Sequence, residues 1–155
     1  GQEEELKRFH DENGHRIKFS KDDLDFTYGL RYHREGKTFW IEVSVNNKVE
    51  NFDVEEFQRQ LAEHYARADR DFLPTPYELK TKQYAEVFEL DSNFADAFKH
   101  EVREGKADIF RLAFRINSDL VPKLVGHPNS FKDLVENFCV TPFRSAYASV
   151  YRKSG

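Results

Sequence analysis

The sequence predicts an α+β fold, an antiparallel sheet with amphipathic helices packed on one face. Three observations carry that reading. Residues 24–46 alternate apolar and polar on both sides of a glycine-containing turn, the pattern of two half-buried strands in a hairpin. Residues 107–117 alternate in the same way. Residues 54–72 repeat apolar side chains at steps of three and four, the period of a helix stripe. Strands and helices of this kind bury their apolar sides by layering against one another.

Taken in order, residues 2–13 are acidic with only Leu6 and Phe9 apolar, so 1–14 reads as a short or frayed helical segment ahead of a single α+β domain over 15–153. Ile17 and Phe19 alternate with Arg16, Lys18 and Ser20 as a short strand whose basic residues suit a sheet edge. Lys21-Asp22-Asp23 turns the chain into the hairpin. Parity fixes the hairpin's register. An even loop (Glu35-Gly36, or Arg34 to Lys37) pairs Tyr32 with Phe39, Leu30 with Ile41, Tyr28 with Val43 and Phe26 with Val45, so all eight share one face. A three-residue loop sets Phe26 against Ser44 and mixes the faces. The even loop is therefore expected.

Asp53 and Glu56 have capping-box spacing, and Val54, Phe57, Leu61, Tyr65, Ala68 and Phe72 form the stripe of the helix that follows. Leu73-Pro74-Thr75-Pro76 ends it, since proline cannot extend a helix. Residues 77–90 contain a strand centred on Val87 and Phe88. Asp91 or Ser92 caps a second helix carrying Phe94, Ala97, Phe98 and Val102, with Gly105 as its stop. In the strand 107–117, Phe110, Leu112, Phe114 and Ile116 point one way; Ile109, Arg111, Ala113 and Arg115 point the other. After a connector over 119–129, Ser130 with Asp133 opens a short helix bearing Phe131, Leu134, Val135 and Phe138. Thr141-Pro142 starts a separate one, with Phe143, Ala146, Tyr147 and Val150 as its stripe.

Composition narrows the function classes. Of 155 residues, 34% are charged, yet 39% are hydrophobic and 15 are Phe, which is enough to build a core. The net charge of −4 and pI near 5.9 oppose broad adhesion to nucleic acid or membrane. One cysteine, Cys139, allows no intrachain disulfide and points to the cytosol or nucleus. No apolar run approaches the ~20 residues of a membrane span. A leading Gly1 in place of an initiator Met fits a domain excised from something larger.

Catalytic and metal chemistry find little support. No two of the six histidines stand at i, i+4, a thiolate zinc site lacks its cysteines, and Asp22-Asp23-Leu24-Asp25 lacks the glycine and closing Glu of a calcium loop. No glycine-rich phosphate loop or Gly-X-Ser-X-Gly elbow occurs. Asp25 with Glu42-Val43-Ser44 resembles a nuclease carboxylate set only in outline, with serine where lysine is needed and Asp25 paired far from Glu42. Cys139, between Phe138 and Val140, reads as a small core hydrophobe. No metal, cofactor or catalytic residue is expected.

The side of the sheet away from the core is less generic. Arg31, His33, Trp40, Glu42, Arg111 and Arg115 all fall on it if the strand 107–117 neighbours the hairpin. Arginine offers a planar fork for carboxylate or phosphate, and Trp40, the only tryptophan, offers a stacking surface. The expectation is a non-catalytic intracellular interaction or scaffold domain, binding a protein partner or acidic peptide through this face or a helix groove. Single-stranded RNA on the same face is the alternative. A plain surface, with Arg31 stacked on Trp40 and Glu42 neutralising a neighbour, stands at even weight. A small enzyme needs His64, His100 or Glu86 to converge in one cavity. A homo-oligomer is not ruled on by sequence.

Overall fold

A computed structural model describes residues 17–21, 24–33, 35, 38–68, 88–89, 97–117, 119 and 126–154. The fold is α+β, as the alternating and helical periods predict. Strand β1 (Ile17–Lys21) pairs with β2 (Leu24–His33), and β2 pairs with β3 (Thr38–Asn47). The β2–β3 register runs from Asp25 opposite Asn46 to His33 opposite Thr38, so four residues form the loop. That is the even register. Phe26, Tyr28, Leu30, Phe39, Ile41, Val43 and Val45 are all buried, and Tyr32 packs on Phe39 with ring centroids 4.6 Å apart.

Helix α1 (Val54–Ala68) follows. Its first turn is closed by Asp53, whose Oδ1 accepts from the Glu56 amide at 3.1 Å. The Glu56 carboxylate turns instead to Arg59, which holds it well below the usual carboxylate range, at about 2. Phe57, Leu61 and Tyr65 form the buried stripe. Phe57 lies at the centre of the core. It meets Phe98 and Tyr147 edge-on at 5.6 and 5.7 Å, and Phe143 at 5.3 Å.

Among the described residues the sheet has six strands, and each pairing is antiparallel. Strand β6 (Asp108–Ile116) takes β3 along one edge. Along its other edge lie two short strands end to end, β5 (Phe98–Glu101) against 109–112 and β4 (Phe88–Glu89) against 115–116.

Strand β5 corrects one expectation. The 94–102 stretch satisfies helical spacing, but the structure extends it from Phe98, and Val102 is 72% exposed rather than on a buried stripe. Gly105 serves the β5–β6 turn with φ of +72°, not a helix end. The reason is tertiary. As a strand, residues 98–101 cover an open edge of β6 while Phe98 still reaches Phe57.

The C-terminal helices are also differently divided. Helix α2 (Pro128–Val135) begins two residues before Ser130, with Pro128 in its first turn and no side-chain cap. It runs through a π-helical turn, Glu136–Val140, directly into α3 (Thr141–Ser154). Thr141 has helical dihedrals, and its amide donates to the Glu136 carbonyl, so it caps nothing. Thr141-Pro142 thus lies inside one continuous helix. Proline has no N–H for the carbonyl four residues back. The wider π turn relieves the crowding at that point.

The predicted segment 1–14, Phe72, Val87, the Asp91 or Ser92 cap and Phe94 lie outside the described residues.

Candidate functional site: the open face of the sheet

Because side chains alternate along a strand, the register that buries Phe26 and Ile41 fixes what stands on the opposite face. Cross-strand pairing arranges that face in rows. Arg31, Trp40 and Arg115 form one row across β2, β3 and β6. Glu89 completes it by register, its side chain lying outside the described residues. The next row is Gly29, Glu42 and Ala113; then come Thr27, Ser44, Arg111 and Lys99; then Asp25, Asn46, Ile109 and Glu101.

Five of the six residues singled out from sequence are therefore neighbours: Arg31, Trp40, Glu42, Arg111 and Arg115. His33 pairs with Thr38 at the end of the hairpin, and its side chain lies outside the described residues. Trp40 is half-buried, and its Nε1 donates to Thr38 Oγ1 at 2.9 Å within its own strand. Arg115 is exposed.

The charged groups are linked through Glu42. Its Oε1 lies 3.9 Å from Arg31 Nε and 3.7 Å from Arg111 Nε. Both separations exceed a hydrogen bond, so the attraction is Coulombic rather than directional. Arg111 Nη1 also makes a close ion pair with Glu101. Sequence reading missed Glu101 and Lys99, because both lie on the segment taken for a helix. The alternation Phe98-Lys99-His100-Glu101 was the available signal.

Farther along the face, Thr27 Oγ1 and Ser44 Oγ lie 2.6 Å apart, and Asn46 Nδ2 donates to Asp25 Oδ2 at 2.7 Å. Asp25 thus stands two rows from Glu42, which separates the carboxylates a metal-dependent nuclease would bring together. Among the described residues, no group of three or more His, Cys, Asp or Glu side chains is arranged to hold a metal ion.

On the core side, Tyr28 donates its hydroxyl to Glu136 Oε1 at 2.9 Å, tying β2 to the π turn. Burial, with the hydrogen bond and charge of Glu136, pushes its phenol well above the ordinary value. Cys139, within this turn, is fully buried.

An open groove of about 700 Å³ runs between the loop after β3 and the β5–β6 turn. His100 lines it, with Nε2 2.9 Å from Asp108 Oδ2; Lys48, Glu50 and Lys106 lie along its walls. His64 is not part of it and packs edge-on against Tyr65 at 4.9 Å. Glu86 lies outside the described residues. No Ser, Thr, Cys or Tyr is among the described residues lining the groove.

No helix among the described residues is long and apolar enough to cross a membrane. No protein-family model, curated protein or solved structure matches the chain.

Proposed function

We propose that this protein is a non-catalytic interaction domain whose open sheet face receives an acidic, extended segment of a partner protein. The observation that carries the reading is the row Arg31–Trp40–Arg115, in which the register sets a tryptophan position between two arginine positions on three adjacent strands. Side chains of an extended segment recur on one side every second residue. Carboxylates so spaced would meet the arginine forks while the segment lay over the indole. An anchor of the Trp or Arg type commonly supplies ~2 kcal/mol or more of such an interface.

RNA fits the same face less well. Glu42, Glu101 and Asp25 stand among the arginines, and the whole chain carries −4. A phosphate backbone gains by meeting uncompensated positive charge. An intracellular setting, cytosol or nucleus, fits the single thiol, which is buried at Cys139.

Trp40 emission is the natural reporter, since no other tryptophan contributes. The test is titration with a capped hexaglutamate peptide and with oligouridylate, each at low and physiological salt. Saturable change with the acidic peptide, and weaker or no change with oligouridylate, supports the reading. Tighter, steeply salt-dependent binding of oligouridylate would replace it with RNA recognition. No response to either would remove this face as the binding surface.

A further inference from the structure

Two rows of the open face carry positive charge, and they lie apart along the strands. The Trp40 row holds Arg31 and Arg115; the other holds Arg111 on β6 and Lys99 beside it on β5. Arg111 and Arg115 are four residues apart on one strand, so the rows are separated by roughly 13 Å. Between them runs the row of Gly29, Glu42 and Ala113, whose charged member is acidic. Arg31 and Arg111 already take part in ion pairs, with Glu42 at 3.9 and 3.7 Å, and Arg111 pairs closely with Glu101 as well. Lys99 stands outside that network. The alternation that buries Phe98 turns Lys99 to the open face, where it is exposed. Its ammonium has no ion-pair or hydrogen-bond partner among the described residues. An incoming carboxylate is therefore drawn to a less compensated charge at Lys99 than at Arg111.

From this spacing we infer that Lys99 is a second anchor for the acidic segment of the partner, which it selects for acids four residues apart. An extended chain lying along the strands presents one side at i, i+2 and i+4. An acid at i over the Trp40 row brings i+4, roughly 13 Å farther on, to the level of Lys99. The sideways step from β6 to β5 is about 4.8 Å, within reach of a lysine side chain. Position i+2 falls over the row of Glu42, where another carboxylate would meet like charge and a neutral side chain would not. The inference deepens the reading given above and rests on it.

The experiment compares wild type, Lys99→Gln, Lys99→Arg and Lys132→Gln by Trp40 emission at low ionic strength. The probes are capped hexaglutamate and two capped isomers of equal charge, Glu-Ser-Ser-Ser-Glu and Glu-Ser-Glu-Ser-Ser. Lys132 is exposed on α2, so its variant reports the change in net charge alone. Wild type is expected to prefer the four-residue spacing by about two- to five-fold, the range of one exposed ion pair. Lys99→Gln should lose that preference and weaken hexaglutamate binding by a similar factor. Lys99→Arg, which keeps the charge, should retain both, and Lys132→Gln should stay within about 1.5-fold of wild type, because a remote exposed charge is screened. If wild type binds hexaglutamate but responds equally, or not at all, to the two isomers, this inference alone fails. It also fails alone if Lys99→Gln keeps the preference. If wild type does not bind hexaglutamate, the reading of the face fails and takes the inference with it.

Discussion

Tyr65 of α1 donates its hydroxyl to the backbone carbonyl of Phe138 at 2.7 Å. Phe138 is four residues before Pro142, so its carbonyl is the one that proline cannot serve. One side chain from a neighbouring helix thus meets a need created by the sequence of another. Tyr65→Phe should cost about 1–2 kcal/mol in urea unfolding, because a part-buried carbonyl loses its donor. In a Pro142→Ala background, which restores the missing N–H, the same change should cost at least ~0.5 kcal/mol less. Equal costs in the two backgrounds would show that the proline and the tyrosine are unconnected.

Tyr28 and Tyr147 predict sensitivity to alkali. Burial raises both phenols above their ordinary value near 10, aided at Tyr28 by Glu136; Tyr147 donates to Asn47 Oδ1 at 2.6 Å. A folded-state pKa above the unfolded one means that the unfolded chain releases the proton first. The stabilisation is therefore complete below pH 10 and declines as pH rises through the folded values. Unfolding free energy should fall from about pH 10 upward, and Tyr28→Phe with Tyr147→Phe should flatten that decline. Tyrosinate absorbance should show these two phenols titrating only as the protein unfolds. If all seven tyrosines titrate together near pH 10 in the folded protein, the burial account of the phenols is wrong.

Two glycines with open space around them should respond oppositely to alanine. A Cβ at Gly105 or Gly126 meets nothing within 4 Å, so backbone conformation decides. Gly105 has φ of +72° at the β5–β6 turn, where an L side chain costs about 1 kcal/mol. Gly126 has no positive φ, and alanine there should be neutral or stabilising by up to ~1 kcal/mol through the unfolded chain. Thermal midpoints of the two variants check this. A stable Gly105→Ala protein would argue for residues 98–105 as a helix rather than a strand and turn.

Legibility followed the redundancy of each local signal. The hairpin could be read to its register because only one parity keeps Phe26, Tyr28, Leu30 and their partners on one face. Helix α1 carried both a cap at Asp53 and a stripe through Phe57, Leu61 and Tyr65. Where a single cue stood alone, tertiary packing overrode it. Phe98 and Val102 have helical spacing, yet pairing with the β6 edge decided the conformation. Thr141-Pro142 has the chemistry of a helix start, but a π turn and the Tyr65 hydroxyl let the helix pass through it. The composition of the open face was legible from alternation once β6 was assumed to neighbour the hairpin. Arg31 opposite Trp40 followed from the hairpin parity, whereas Arg115 beside Trp40 did not, because nothing in one strand's sequence states which further strand lies beside it or in what register.

The central claim is that Arg31 and Arg115, on either side of Trp40, determine the charge of the ligand. The direct measurement is the ratio of affinities for capped hexaglutamate and capped hexalysine, read from Trp40 emission, in wild type and in Arg31→Glu with Arg115→Glu. Both arginines are open to solvent, Arg31 by 41% of its side chain, so the double variant should fold. The account predicts that wild type prefers hexaglutamate and that the double variant prefers hexalysine. Retention of hexaglutamate binding within about two-fold by the double variant would contradict it.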